Sequence, residues 1–111
     1  MQKEFRLTNN ASFNYIYKNG EAVSSPLFTL LYVRAGSVRI GVSVGKKIGK
    51  ATVRNLVKRR VKECFRALIP SISGKYNYVV AAREAAAGAN SSELSAELQK
   101  ALKRAGHLKN A

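Results

Sequence analysis

VSVGKKIGKATVRNLVKRRVKECFRALIP, residues 42–70, runs from the end of a strand through a basic turn into one long helix. At about 100° per residue, Val53, Leu56, Val57, Val61, Cys64, Phe65 and Leu68 fall on one side of that helix. Asn55, Lys58, Arg59, Lys62 and Arg66 gather on the other side, over an arc of roughly 100°. Thr52 is the expected N-cap and Pro70 the stop, giving a helix over about 53–68. Residues 46–66 hold nine of the chain's 20 basic residues and one acid, Glu63. Like charges at this density repel one another, and a merely solvated face mixes signs, so the row points to a polyanion outside the chain. Arg54 and Arg60 lie nearer the apolar arc and must snorkel or meet something other than bulk water. Lys46, Lys47 and Lys50, with Gly45, Gly49 and the helix N-terminus, make an anion-binding approach. Their spacing does not match a Walker motif, so no nucleotide site is read there.

The rest of the composition agrees. A chain of 111 residues is one domain by length, and its 46% apolar content suits a globular core. Twenty Lys and Arg against six Glu and no Asp leave a net charge of +14, which reads first as nucleic-acid binding. No Trp-, Phe- or Leu-rich amphipathic anchor and no long apolar run suggests a membrane partner. A single cysteine, Cys64, excludes an internal disulfide and suits a reducing cytosol. The start, MQKEFRLTNN, has no apolar leader, so a cytoplasmic protein is expected.

Outward from the basic segment, VRIGVSVG alternates strictly. Val38, Ile40, Val42 and Val44 make a core face; Arg39, Gly41, Ser43 and Gly45 make the other. The small residues on that second face mean that another segment packs there or a ligand approaches the backbone. LFTLLYVRA lies upstream across Gly36 and Ser37, and the two strands read as a hairpin. YNYVVAAR is a third long strand. In TNNASFNYIYKNG, the polar cluster before Ala11 caps a short helix and Gly20 suits its left-handed end. Phe13, Ile16 and Tyr17 share one face of it. Asn90-Ser91-Ser92-Glu93 resembles a capping box for a last helix that buries Leu94, Leu98, Ala101 and Leu102. AREAAAGAN is a loop or a helical turn. The polar tail from about residue 106, with the chain's one histidine, His107, is expected to be mobile.

VSVGKKIGKATVRNLVKRRVKE resembles the signature of the bacterial ribonuclease P protein subunit, a strand and basic turn followed by a helix of type R-N-x-x-K-R. FRL near the start, F-x-x-I-Y-K-x-G in the first helix and VVAAR in the last strand match in the same order, so the resemblance spans nearly the whole chain. It implies a single-domain α/β (α+β) two-layer sandwich of order α-β-β-β-α-β-α, with a left-handed βαβ crossover around the basic helix. Generic chain handedness would give a right-handed one. It implies two RNA partners, the catalytic RNA of ribonuclease P and precursor tRNA; no obligate protein partner is evident from the sequence. Arg54, Asn55, Lys58, Arg59 and Lys62 would face the catalytic RNA, in line with Lys46, Lys47, Lys50 and Arg66 around them. Leu56 stands where the family often has a third basic residue.

By the same resemblance, a cleft between the first helix and the open sheet face holds the single-stranded leader. Phe13 and Tyr17 match its aromatic positions, although from the residues alone both also read as core. Leu31 stands where a strand aromatic is common, with Tyr32 pointing the other way, and Arg39, Gly41 and Ser43 would form the floor. A protein cutting a phosphodiester unaided needs carboxylates for a metal pair or a histidine pair. Six scattered Glu, one His and Cys64 on an apolar arc offer neither. The chain is therefore not expected to be the catalyst by itself or to bind a cofactor alone, and the resemblance implies that the RNA and its Mg2+ carry the cleavage. A ribosomal or other structural RNA-binding protein is the second reading, and a DNA-binding helix the third.

Overall fold

The computed structural model describes residues 6, 7 and 10–109. Its elements are α1 (Asn10–Asn19), β1 (Glu21–Ser24), β2 (Phe28–Arg34), β3 (Arg39–Ser43), α2 (Ala51–Leu68), β4 (Tyr76–Ala82) and α3 (Ser91–Arg104). This is the expected order in a single α+β domain. The cap expected from Thr8 and Asn9, and Phe5 of FRL, lie outside the described residues.

The four strands stand in the order β1-β2-β4-β3. β4 pairs antiparallel with β2 and parallel with β3, so β2 and β3 form no hairpin. Direction misleads here: β2 and β3 do run opposite ways, yet β4 lies between them. The connection over residues 35–38 has to cross two strand spacings, about 10 Å, which four extended residues can do. β4 takes the centre because it is apolar on both faces, with Tyr78, Val79 and Val80 all at 0% exposure.

Alternation along the strands divides the core in two. Phe28 and Leu30, Ile40 and Val42, and Tyr78 and Val80 face α2 and α3, where Val57, Val61, Phe65, Leu94, Leu98 and Leu102 complete the larger cluster. Leu31, Val33 and Val79 face the other way and meet Phe13, Ile16 and Leu7. To the two layers expected, α1 thus adds partial cover on the opposite face. The Leu7 N–H donates to the Ile40 carbonyl at 2.8 Å, laying the N-terminal segment beside β3.

Local details refine the reading. Lys50, not Thr52, is the N-cap residue of α2, because the backbone is already helical from Ala51 and only Lys50 is extended. α2 ends at Leu68 and passes into a 3-10 turn containing Pro70. The Ala-rich piece forms a 3-10 helix, Glu84–Gly88. The α3 capping box is complete: Glu93 N–H donates to Asn90 at 2.9 Å, and Asn90 N–H to the Glu93 carboxylate at 3.2 Å. Gly20 does not take a left-handed conformation. It is small for space, since a Cβ there would stand 2.5 Å from the Ile16 carbonyl oxygen and 2.9 Å from that of Tyr32.

The expectation of a mobile tail from residue 106 fails at its histidine. His107 is 3% exposed. Its Nδ1 shares a 2.8 Å hydrogen bond with the Tyr78 hydroxyl, and its ring stacks on Tyr76 at 3.7 Å. Backbone bonds from Ser73 N–H to the His107 carbonyl and from Lys109 N–H to the Ser71 carbonyl tie down both sides. Burial pushes the imidazole below its usual 6.5, against a smaller opposing pull from Glu21. The unfolded chain therefore binds the more protons, and stability is full above 6.5 and lost as pH falls below it. Thermal melts should be level above about pH 7 and decline from about pH 6.5 downward, and His107→Gln should flatten that decline. An equal slope in both proteins would show that the imidazole is not the source.

Candidate nucleic-acid interface

α2 buries Val57, Val61 and Phe65 and turns its other side outward. Asn55, Arg59 and Arg66 are exposed there, with Lys58 and Lys62 half-buried along their stems. Lys46 and Lys47, on a 3-10 turn, and the cap residue Lys50 are exposed just before the helix. Among the described residues none of these cations has an ion-pair partner; the one ion pair joins Lys100 and Glu97 on α3 at 3.7 Å. Positive charge accumulates instead. Burial, then Arg6, then Lys58 hold the Lys62 ammonium below its usual value. Arg6 was not singled out by sequence reasoning, because only its bridge to Ile40 on the sheet edge brings it to this side.

The two arginines near the apolar arc part ways. Arg60 donates to the Ala89 carbonyl at 3.0 Å and holds α2 to the turn before α3. Arg54 is half-buried, and its Nε is enclosed with no hydrogen-bond partner among the described residues.

The face of the sheet under α1 is built in rungs. Leu31, Val79 and Gly41 lie in register across β2, β4 and β3, as do Thr29, Ala81 and Ser43, and Val33, Asn77 and Arg39. A packed segment answers the question raised by Gly41. A Cβ there would stand 2.2 Å from the tip of the Phe13 ring, so the glycine makes the seat for that ring. Phe13 is half-buried against the smaller core, and Leu31 packs in the same cluster. Tyr17, one turn on, is 45% exposed. Ser43 is half-buried on a rung of small residues, and Arg39 is exposed, its Nε donating to Ser37 at 3.3 Å. Phe13, Leu31 and Gly41 are thus brought together; Arg39 and Ser43 flank them along β3. Tyr32 projects from the opposite face, as expected, into contact with Tyr76 and His107.

Cys64 and His107 are both engaged in packing. The Cys64 thiol donates to the Ser91 carbonyl at 3.3 Å, and burial, then Glu63, push its pKa up. Among the described residues no three His, Cys, Asp or Glu side chains gather where they could hold a metal ion. None of the described helices is long and apolar enough to cross a membrane.

A family model described as Ribonuclease P matches residues 1–106. The ribonuclease P protein component of Oceanobacillus iheyensis is 35% identical, the match covering 99% of this chain and 93% of that protein. The component from Symbiobacterium thermophilum is 37% identical over 97% of this chain and 96% of its own. The solved RNase P protein of Staphylococcus aureus superposes with a TM-score of 0.85 at 30% identity, covering 95% of this chain and 98% of that one. The one from Thermotoga maritima gives a TM-score of 0.81 at 31% identity, over 89% and 96%.

Proposed function

The chain belongs to the ribonuclease P protein family, and from that premise we propose how it serves the endoribonuclease as its accessory subunit. α2 docks on the catalytic RNA, with Lys46, Lys47, Lys50, Arg54, Asn55, Lys58, Arg59, Lys62 and Arg66 on its phosphates. The observation that carries this reading is a row of cations with no acid paired to it among the described residues, on a helix whose other side is packed. Such a row releases counterions when phosphates replace them, which drives association.

The face under α1 takes the 5′ leader of precursor tRNA. Tyr17 and Phe13 offer rings for bases, Leu31 offers apolar contact, and Ser43 and Arg39, on β3 to either side of the Phe13 seat, meet the leader backbone. Bond cleavage falls to the RNA and its Mg2+, in keeping with an accessory role for the protein in the endoribonuclease. What the protein supplies is orientation and charge neutralisation, which lower the Mg2+ concentration that the RNA needs. The work belongs in the cytoplasm, with the RNAs it acts on.

Reconstitution tests this. Added to a bacterial ribonuclease P RNA at low Mg2+, the protein should restore 5′ cleavage of precursor tRNA. Cleavage no faster than with RNA alone would overturn the reading.

A further inference from the structure

On the flank of α1 away from Phe13 and Tyr17 lies a second hollow, of about 550 Å³, lined by Tyr15, Glu21, Tyr32, Arg34, Tyr76 and His107 among others. Its size falls in the ordinary range of ligand pockets, roughly 300–1,000 Å³. Tyr15 stands about 200° around the helix from both Phe13 and Tyr17, so the two flanks serve different segments of any ligand. At 59% exposure it is the most exposed large apolar side chain among the described residues, and it borders a second, smaller hollow shared with Arg34.

The polar groups of this hollow are half committed. One carboxylate oxygen of Glu21 accepts from the Tyr32 hydroxyl at 2.8 Å; the other has no hydrogen-bond partner among the described residues. Arg34 is exposed and makes no ion pair or side-chain hydrogen bond among them. The back wall, His107 stacked on Tyr76 with Tyr32 edge-on at 4.3 Å, is fixed.

We propose that this hollow is a second single-stranded RNA site, taking a guanosine nucleotide with its base on Tyr15, its Watson–Crick edge on Glu21 and its phosphate on Arg34. An exposed tyrosine gives a base a face to stack on. A carboxylate only accepts, and guanine presents two adjacent donors, N1–H and the 2-amino group, to it. Uracil sets one donor between two carbonyl oxygens, which a carboxylate repels. An anionic ligand is favoured over a neutral or basic peptide by the guanidinium and by the net charge of +14, and the exposed Tyr15 ring favours a nucleotide, which brings a base to stack, over an acidic peptide. This site lies beyond the leader cleft and the α2 face, and it would hold an RNA segment additional to both.

The test is an NMR titration of the full chain with GMP, AMP, CMP and UMP. GMP should shift the Tyr15 ring and the Glu21 neighbourhood, and bind more tightly than UMP. Tyr15→Ala should weaken GMP by about 5- to 150-fold, the range of a base-on-aromatic stack. Glu21→Gln keeps an acceptor for Tyr32 and should cut the preference for GMP over UMP by roughly tenfold. Shifts confined to α2 or to the Phe13 flank would overturn the proposal. So would a Tyr15→Ala protein that binds GMP normally but loses self-association in sedimentation, which would make the hollow a protein contact. Because the readout uses the chain without catalytic RNA, its failure leaves cleavage by the reconstituted enzyme, and the assembly reading, standing.

Discussion

Replacing Lys58, Arg59 and Lys62 together by Gln should weaken binding to the catalytic RNA by about a thousandfold while leaving the fold intact. Hydrogen bonds to a charged group contribute about 1.5 kcal/mol or more each, and three of them amount to about three powers of ten. The salt dependence should flatten as well, by roughly two to three units of log–log slope, because each lost phosphate contact removes about 0.7–0.9. Stability should hold. Arg59 is exposed, and Lys62 is already held in a field made unfavourable by burial, Arg6 and Lys58. Removing that charge relieves repulsion, so the melting temperature should stay level or rise. Titrations over a KCl series, with melts alongside, check both halves. An unchanged slope would mean that the row faces solvent in the complex.

Tyr17→Ala should lower affinity for precursor tRNA by about 5- to 150-fold and leave mature tRNA binding nearly unchanged, as expected for one lost base stack. Tyr17 is nearly half exposed and belongs to neither core cluster, so its loss reports on binding without a large cost in stability. Phe13→Ala differs. Its ring fills the seat over Gly41 and packs in the smaller core. It should therefore lose stability as well, though less than the about 3–5 kcal/mol of a fully buried phenylalanine. The precursor-to-mature affinity ratio of each variant, read beside its melting temperature, separates recognition from packing. A Tyr17→Ala enzyme with a normal ratio would remove that ring from the leader path.

Much of this was legible because it is encoded locally. The side chains of the α3 capping box sit three residues apart, and the four residues predicted for that helix's buried side are the four it buries. The apolar row of α2 follows from its 3.6-residue period, with Leu56 only half-buried at its margin. Strand order was not legible. Gly36 and Ser37 give a turn signal that says where the chain reverses, not which strand fills the gap beside it. That depends on the apolar character of β4 some forty residues later. Gly20 was read for backbone freedom, yet carbonyls brought close by tertiary packing decide its size. His107 looked like a polar tail residue because Tyr76 and Tyr78, its partners, lie about thirty positions upstream. The candidate interface divides in the same way: the α2 cations were found by periodicity, whereas Arg6 reaches them only through sheet pairing.

The central place of β4 also sets an order of events during synthesis. β2 and β3 each have β4 as a neighbour, so a nascent chain ending before Tyr76 has no middle to its sheet. α2 lies in the connection between β3 and β4, and its apolar row then has only a partial surface to settle on. The late step is the insertion of a strand between two others already made, a non-local event of the kind that slows folding. At about 5–20 residues added per second, the basic segment emerges about a second or more before the strand that completes the sheet. During that interval nine of the chain's 20 basic residues stand on a segment whose apolar row lacks part of its eventual packing surface. Completion of β4 closes the sheet under that apolar row and so fixes the shape of the basic face.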